Sequence, residues 1–293
     1  MSEIERVLNA KEKKIKNSFL SKINNKIKSF LRIIFPKFYE FKDFKKKKKT
    51  FSGWGLTTDF TCSPWNNLSE QNNVIFNKIN KDLIERVQNR KFFLTQFEYK
   101  DANYPKILEE LSWRHYVVFN SVLYVLNFTE EDQKNIVECG VCDGLTMNFA
   151  MSLCDKKKIN FKGFMYDAWA DLSVKKNENL RFDYSYLDIE ITKENLKQFS
   201  NNSIYNKGFI PEIFNTAQNP DKISWLHIDL NSEEATISSL EFLYERVVNN
   251  GIVLFDDYGG FEKTRLKIDN FFSNKPGHFV SLPTGQGIFY KKN

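Results

Sequence analysis

At 293 residues the chain has room for one large domain, or one domain with an appendage, and its 28 Phe within ordinary apolar content allow a sizeable core. No run of about 18 apolar residues offers a membrane span, and the acidic start Met1-Ser2-Glu3-Ile4-Glu5 lacks the apolar stretch of a secretory leader. The net charge of +6 is unevenly placed: residues 1–50 hold 16 Lys and Arg against 5 Asp and Glu, so the rest, with 27 against 32, is mildly acidic and offers no nucleic-acid face.

In the first 50 residues Ile15, Phe19, Leu20, Ile23, Ile27, Phe30, Leu31 and Ile34 recur three or four apart between Lys and Asn. That spacing predicts an amphipathic helix stopped by Pro36, and the basic run Lys45 to Lys49 follows it. Residues 11–49 suit peripheral contact with an anionic membrane surface, and they equally suit docking on the chain's own body or on a second copy. Residues 51–70 crowd Gly, Thr and Pro around Trp54 and Trp65, as in an ordered loop that covers a site or pins a surface. Residues 71–128 read as mostly helical, with Val74, Ile75, Phe76, Leu83, Ile84 and Val87 in one segment and Ile107 to Leu126 in another. His115 in that apolar stretch reads as a core or rim residue. The division is thus a basic tail (1–50), a helical and loop cap (51–128) and a main domain (129–293).

From residue 136 strands and helices alternate. Strands are expected at 136–139, 161–166, 203–206, 224–228 and 252–255, with helices at 233–248 and 264–272. Asn249-Asn250-Gly251 reads as the stop of the first of these helices. Two last strands, 279–282 and 288–290, flank Pro283-Thr284-Gly285-Gln286-Gly287 and make an antiparallel hairpin. The fold class is therefore α/β: a Rossmann-like, mostly parallel seven-stranded sheet with helices on both faces and a terminal antiparallel hairpin.

The stretch Ile136 to Gly144 (Ile-Val-Glu-Cys-Gly-Val-Cys-Asp-Gly) is a buried strand running into a glycine turn and then a helix. Gly140 permits a backbone angle that other residues resist and a close ligand approach, and the helix start offers free N–H groups. A dinucleotide loop would carry a third glycine three beyond Gly144, where Met147 stands. Glu138 and Asp143 add negative charge, which favours a cation such as S-adenosylmethionine over a pyrophosphate. Cys139 and Cys142 form a C-x-x-C inside the turn with no second Cys or His pair near, which disfavours zinc or redox use. Four cysteines in so long a chain indicate a reduced, cytoplasmic protein.

In open α/β sheets ligands bind beyond the carboxyl ends of the strands, and these ends carry Glu138, Asp167, Asp229 and Asp256-Asp257. Like charges gathered on one rim repel unless a cation is bound. Asp167 is placed to accept ribose hydroxyls. Asp229, Asp256 and Asp257 together suit a hard divalent metal such as Mg²⁺, which would hold a substrate hydroxyl and lower its pKa. Asp229 or His278 is then the candidate proton acceptor. His227, in mid-strand, reads as structural.

The turn Val137 to Gly144 resembles the first motif of class I S-adenosylmethionine-dependent methyltransferases, and more narrowly the macrocin O-methyltransferase family, which methylates macrolide sugar hydroxyls using Mg²⁺. Similar stretches are Tyr166 to Trp169, Lys207 to Glu212, His227 to Thr236, Asn250 to Gly259 and Leu282 to Gly287. The resemblance implies that Glu138, Gly140, Asp143 and Gly144 line the methionine end of the cofactor, that Asp167 holds its ribose, and that Asp229, Asp256 and Asp257 bind metal. It also implies a homo-oligomer. The family's usual second aspartate in the fourth-strand motif is Asn231 here. The expected activity is methyl transfer to a hydroxyl of a small-molecule or glycan acceptor. A nucleotide-activated sugar or a glycan of bacterial capsule or lipopolysaccharide synthesis, at the inner face of the membrane, is the expected acceptor. The alternatives are a methyltransferase-like binding protein without catalysis and a methyltransferase of another small molecule.

Overall fold

The computed structural model describes residues 71–95, 108, 111–169 and 187–293. The expected amphipathic helix, the basic run and the Trp54–Trp65 loop lie outside them, as does Ile107. Among the described residues, no helix is long and apolar enough to cross a membrane.

Helix α1 (Gln71–Gln88) buries Phe76, Ile79, Leu83 and Val87, a stripe three to four residues apart. Helix α2 (Ser112–Phe128) buries His115, Val118, Phe119, Val122 and Val125 in the same way. Strand β1 (Lys134–Cys139), helix α3 (Leu145–Lys156), strand β2 (Phe161–Asp167), helix α4 (Ile189–Asn195), strand β3 (Ser203–Lys207) and strand β4 (Ile223–Ile228) follow. Helix α5 (Glu233–Leu243), strand β5 (Val247–Phe255), helix α6 (Glu262–Phe272) and strands β6 (Gly277–Ser281) and β7 (Gly287–Lys291) complete the chain.

The seven strands form one sheet in the order β3-β2-β1-β4-β5-β7-β6. Strands β1 to β5 are mutually parallel, and β7 runs antiparallel between β5 and β6. β4 is buried at all six positions, as a central strand covered on both faces must be. Alternation along the strands sorts the side chains into two cores. Ile136, Met165, Trp225 and Leu254 face Phe76, Phe119 and Phe149 of α1, α2 and α3. Val137, Phe164, Leu226 and Val253 face Leu240 of α5 and Ile268 and Phe272 of α6. Helices thus cover both faces and the hairpin closes one edge, as the alternation of elements predicts.

One boundary differs. The helix expected to run to Val248 ends at Leu243, a short 3₁₀ turn spans Tyr244–Arg246, and β5 begins at Val247, which pairs with Ile223. Leu243, Tyr244 and Val247 fit a helical stripe, but the β-branched pair Val247-Val248 is taken by the sheet. The supposed helix stop is an irregularity inside β5: the register shifts before Trp225 pairs with Ile252, and Asn250 takes a left-handed φ of 60°.

Candidate active site

The strand order reverses between β1 and β4, so the chain leaves these neighbours in opposite directions and a crevice opens beyond their carboxyl ends. A cleft lies there. Leu94, Leu111, Arg114, His115 and Val118 form one wall; Glu138 and Gly140 to Asp143 form the floor, continued by Leu145 and Thr146 of α3; Asp229, Asp256 and Gln286 form the far side.

The floor is held by backbone geometry. Gly140 has φ +85°, and a Cβ on it would lie 1.9 Å from the Asp229 carbonyl oxygen. Its missing side chain therefore serves the contact between two strand ends more directly than the approach of a ligand. Ladder bonds continue through the turn: Gly140 N donates to Tyr166 O at 2.8 Å and Asp229 N to Cys139 O at 2.9 Å. Gly144, at φ +83°, stands just before α3, and a Cβ there would press on Leu196 and Thr192. The two cysteines of the turn diverge: Cys139 packs into the core beneath the sheet's other face, where burial pushes its thiol up to about 12, while Cys142 lines the cleft.

Asp167 does not line this cleft. Its Oδ2 accepts the N–H groups of Val141 (2.7 Å) and Cys142 (2.8 Å), and Oδ1 accepts that of Trp169 (2.9 Å). Burial raises its pKa, and these backbone donors pull it back. The carboxylate expected to hold a ribose thus clamps the glycine turn in this structure. Asp167→Ala, which orphans these N–H groups, is expected to destabilise the chain by about 2–4 kcal/mol, measured by chemical denaturation.

Asp143 faces the other way. Its carboxylate accepts the backbone N–H of Thr95 (2.6 Å) and the Thr95 hydroxyl (2.8 Å). The Asn195 side chain completes the arrangement. Its Oδ1 accepts Phe93 N (2.7 Å) and its Nδ2 donates to Phe93 O (2.7 Å) and to Asp143 O (2.8 Å). The segment 93–95, which carries the cleft residue Leu94, is thereby fastened to the glycine turn and to the end of α4.

Glu138 and His227 are register partners on β1 and β4, so both side chains point to the α2 face. Glu138 is 1% exposed, and its Oε1 lies 3.0 Å from His227 Nδ1. Trp225 stacks on the imidazole, with ring centroids 5.4 Å apart, and donates its indole N–H to Ser121 of α2. Burial holds the Glu138 pKa well above the ordinary carboxylate range, with the Asp167 charge adding to it, and drives His227 down to about 4. His227 is thus a neutral imidazole at neutral pH. Glu138 Oε2 and His115 Nδ1 are buried without a hydrogen-bond partner among the described residues. His115 stacks on Phe149 at 4.4 Å, and burial lowers it to about 3, so it too is neutral. Unpartnered polar atoms on a cleft wall are what a polar ligand would satisfy.

On the far side, burial raises Asp229 to about 6, against the opposing pull of His227. Asp256 is gripped twice. Arg114 of α2 reaches it with a forked ion pair, Nη2 to Oδ2 and Nε to Oδ1 at 3.1 Å, and the fully buried Gln286 donates its amide to Oδ1 at 3.1 Å. Arg114 Nη2 also lies 3.9 Å from Asp257. A divalent ion would need Asp229, Asp256 and Asp257 to converge on one point. No three carboxylate, imidazole or thiol groups do so among the described residues. The residues present do not fit the expected Mg²⁺ site, because a guanidinium already holds the carboxylate that would anchor it.

Glu138, Gly140, Asp143, Asp229 and Asp256 are therefore brought to one cleft. Gly144 and Asp257 stand at its margin, and Asp167 lies behind the turn. His278 is not brought in. It is exposed near the start of β6, level with Tyr290 and hence with Ile252, at the sheet edge and below the rim. Sequence reasoning missed Arg114 and Gln286 and set His115 aside. The available signal was a charged Trp-Arg-His step inside an apolar helix.

The profile of the family described as Macrocin-O-methyltransferase (TylF) matches residues 125–278. No curated protein matches the chain in sequence. Among solved structures, the O-methyltransferase NovP is 14% identical, with a TM-score of 0.60 over 76% of this chain and 100% of NovP. The calicheamicin methyltransferase CalS11 is 13% identical, with a TM-score of 0.48 over 82% of this chain and 98% of CalS11. At such identity the likeness to NovP is one of fold.

Proposed function

Because the chain belongs to the macrocin-O-methyltransferase family, we propose that its cleft moves a methyl group from S-adenosylmethionine to a hydroxyl of a sugar. The acceptor would be a small molecule, a nucleotide-activated sugar or a glycan. The observation that carries this reading is the pairing, in one cleft, of a buried unpartnered carboxylate oxygen on Glu138 with the half-buried carboxylate of Asp229.

S-adenosylmethionine supplies an electrophilic methyl group on a positively charged sulfur. The residues that fit it are Glu138 and the turn from Gly140 to Asp143. Burial disfavours the charged form of Glu138, and a nearby cation favours it, so a positively charged donor would be met by the carboxylate. The Asp167 clamp holds the turn in place, and Asp143 ties it to the segment that bears Leu94. Asp229 takes the hydroxyl proton as the acceptor oxygen gains its methyl group. A carboxylate titrating near 6 is largely ionised at neutral pH yet more basic than an exposed aspartate.

Calorimetry with S-adenosylmethionine and with its demethylated product tests the donor, and mass spectrometry over a panel of nucleotide sugars tests the acceptor. Glu138→Gln keeps the shape and the hydrogen bond to His227 but cannot ionise. It is expected to weaken cofactor binding by about tenfold to a hundredfold, the loss of one charged hydrogen bond, without lowering the melting temperature. Wild-type affinity in this variant would remove Glu138 from the donor site, and no binding by the unaltered chain would end the proposal.

A further inference from the structure

We infer that Arg114 is the resident cation of the carboxylate rim, filling the position at Asp256 and Asp257 that a divalent ion would otherwise take, so that methyl transfer by this chain needs no added metal. The inference rests on reading the cleft as a methyl-transfer site, but it is read out separately below.

Three aspartates follow the ends of β4 and β5 without converging on one point, and like charges on one rim repel unless positive charge lies among them. Here that charge comes from α2, 142 residues upstream of Asp256. The guanidinium makes a fork on the Asp256 carboxylate, reaches the Asp256 carbonyl oxygen at 3.4 Å and approaches Asp257 at 3.9 Å. It is permanently charged and planar, so it neutralises and orients a carboxylate together. Gln286 takes Asp256 from the other side and is itself held by the Thr284 hydroxyl at 3.0 Å. A metal entering at Asp256 would have to displace a two-toothed ion pair and leave Arg114 facing the ion. Arg114 also lines the cleft in the same rim as Asp229, where its charge would steady an acceptor oxygen that gives up its proton.

The test uses the full chain after treatment with chelator and gel filtration. Mn²⁺ is titrated in and followed by its paramagnetic resonance signal, which needs no turnover. The expected result is no site tighter than roughly 1 mM, and methyl transfer that changes less than about twofold between chelator and added Mg²⁺ or Mn²⁺. A tight Mn²⁺ site, or activity that vanishes with chelator and returns with metal, overturns the inference. In chelator, Arg114→Ala is expected to lose about a hundredfold in turnover and to recover part of it when guanidinium chloride is added. Retained turnover, or a loss that guanidinium does not repair, also overturns it. Should that variant not fold, the Mn²⁺ titration of the unaltered chain decides alone. A chain that methylates nothing would still give the Mn²⁺ result, so failure of the activity and failure of the resident cation are told apart.

Discussion

Asp229→Asn is expected to cut methyl transfer by about 10²–10⁴-fold, the span of a lost general base, while making the protein more stable at pH 8. The two effects share a cause. Burial holds the Asp229 carboxyl near 6, above the 3.8 of a free aspartate, so the folded chain binds this proton more tightly than the unfolded chain does. The stability that follows is complete below about pH 4 and is lost as pH rises through about 6. Above that, the ionised carboxylate is a strain that the fold tolerates for its chemistry. The amide removes it, which should add about 1–2 kcal/mol at pH 8, less than two pKa units would imply because the group is partly exposed. No gain is expected at pH 4. The unaltered enzyme should show a turnover limb that rises with pH and levels off above about 6, and the variant should lack it. Unchanged turnover would remove Asp229 as base, and a lower melting temperature at pH 8 would show that its charge supports the fold.

Gly140→Ala is expected to have the largest effect on folding of any single methyl group added at the cleft. A Cβ would sit 1.9 Å from the Asp229 carbonyl oxygen and 2.8 Å from its carbon, and both belong to backbone that cannot swing aside. The φ of +85° adds strain for any residue with a side chain. Relief requires β1 and β4 to part at their ends, where Asp229 N donates to Cys139 O. A loss of about 3–5 kcal/mol follows, a large share of what holds a domain together. The melting temperature should fall by roughly 10 °C or more, and whatever folds should turn over poorly because Asp229 moves with the shift. A variant as stable and active as the parent would mean that the two strand ends do not meet this closely.

How much was legible in the sequence depended on range. β1 and β4 are readable because each holds a short apolar stretch, Ile136-Val137 and Trp225-Leu226, with an acid at or just past its end. The last hairpin is readable because Pro283 to Gly287 can only be a turn. The order in which its strands join the sheet is not written locally. Since β7 pairs with β5 and β6 lies outside it, His278 falls at the edge instead of the rim. The direction of the N–H groups in the glycine turn is equally invisible, so the hold of Asp167 on that turn could not be read beforehand. Arg114 and Asp256 are ion-pair partners from distant segments, and no local period announces such a contact. Acids at strand ends were visible, but their counter-charge was not.

The Asn195 side chain offers Phe93 one acceptor and one donor, as a neighbouring strand would, and the Asp143 carboxylate adds two acceptors at Thr95. A loop stitched in this manner behaves as an extension of the sheet. Leu94 is therefore held on the cleft wall through two polar side chains. Moving that wall would take a change in Asn195 or Asp143 more than one in Leu94.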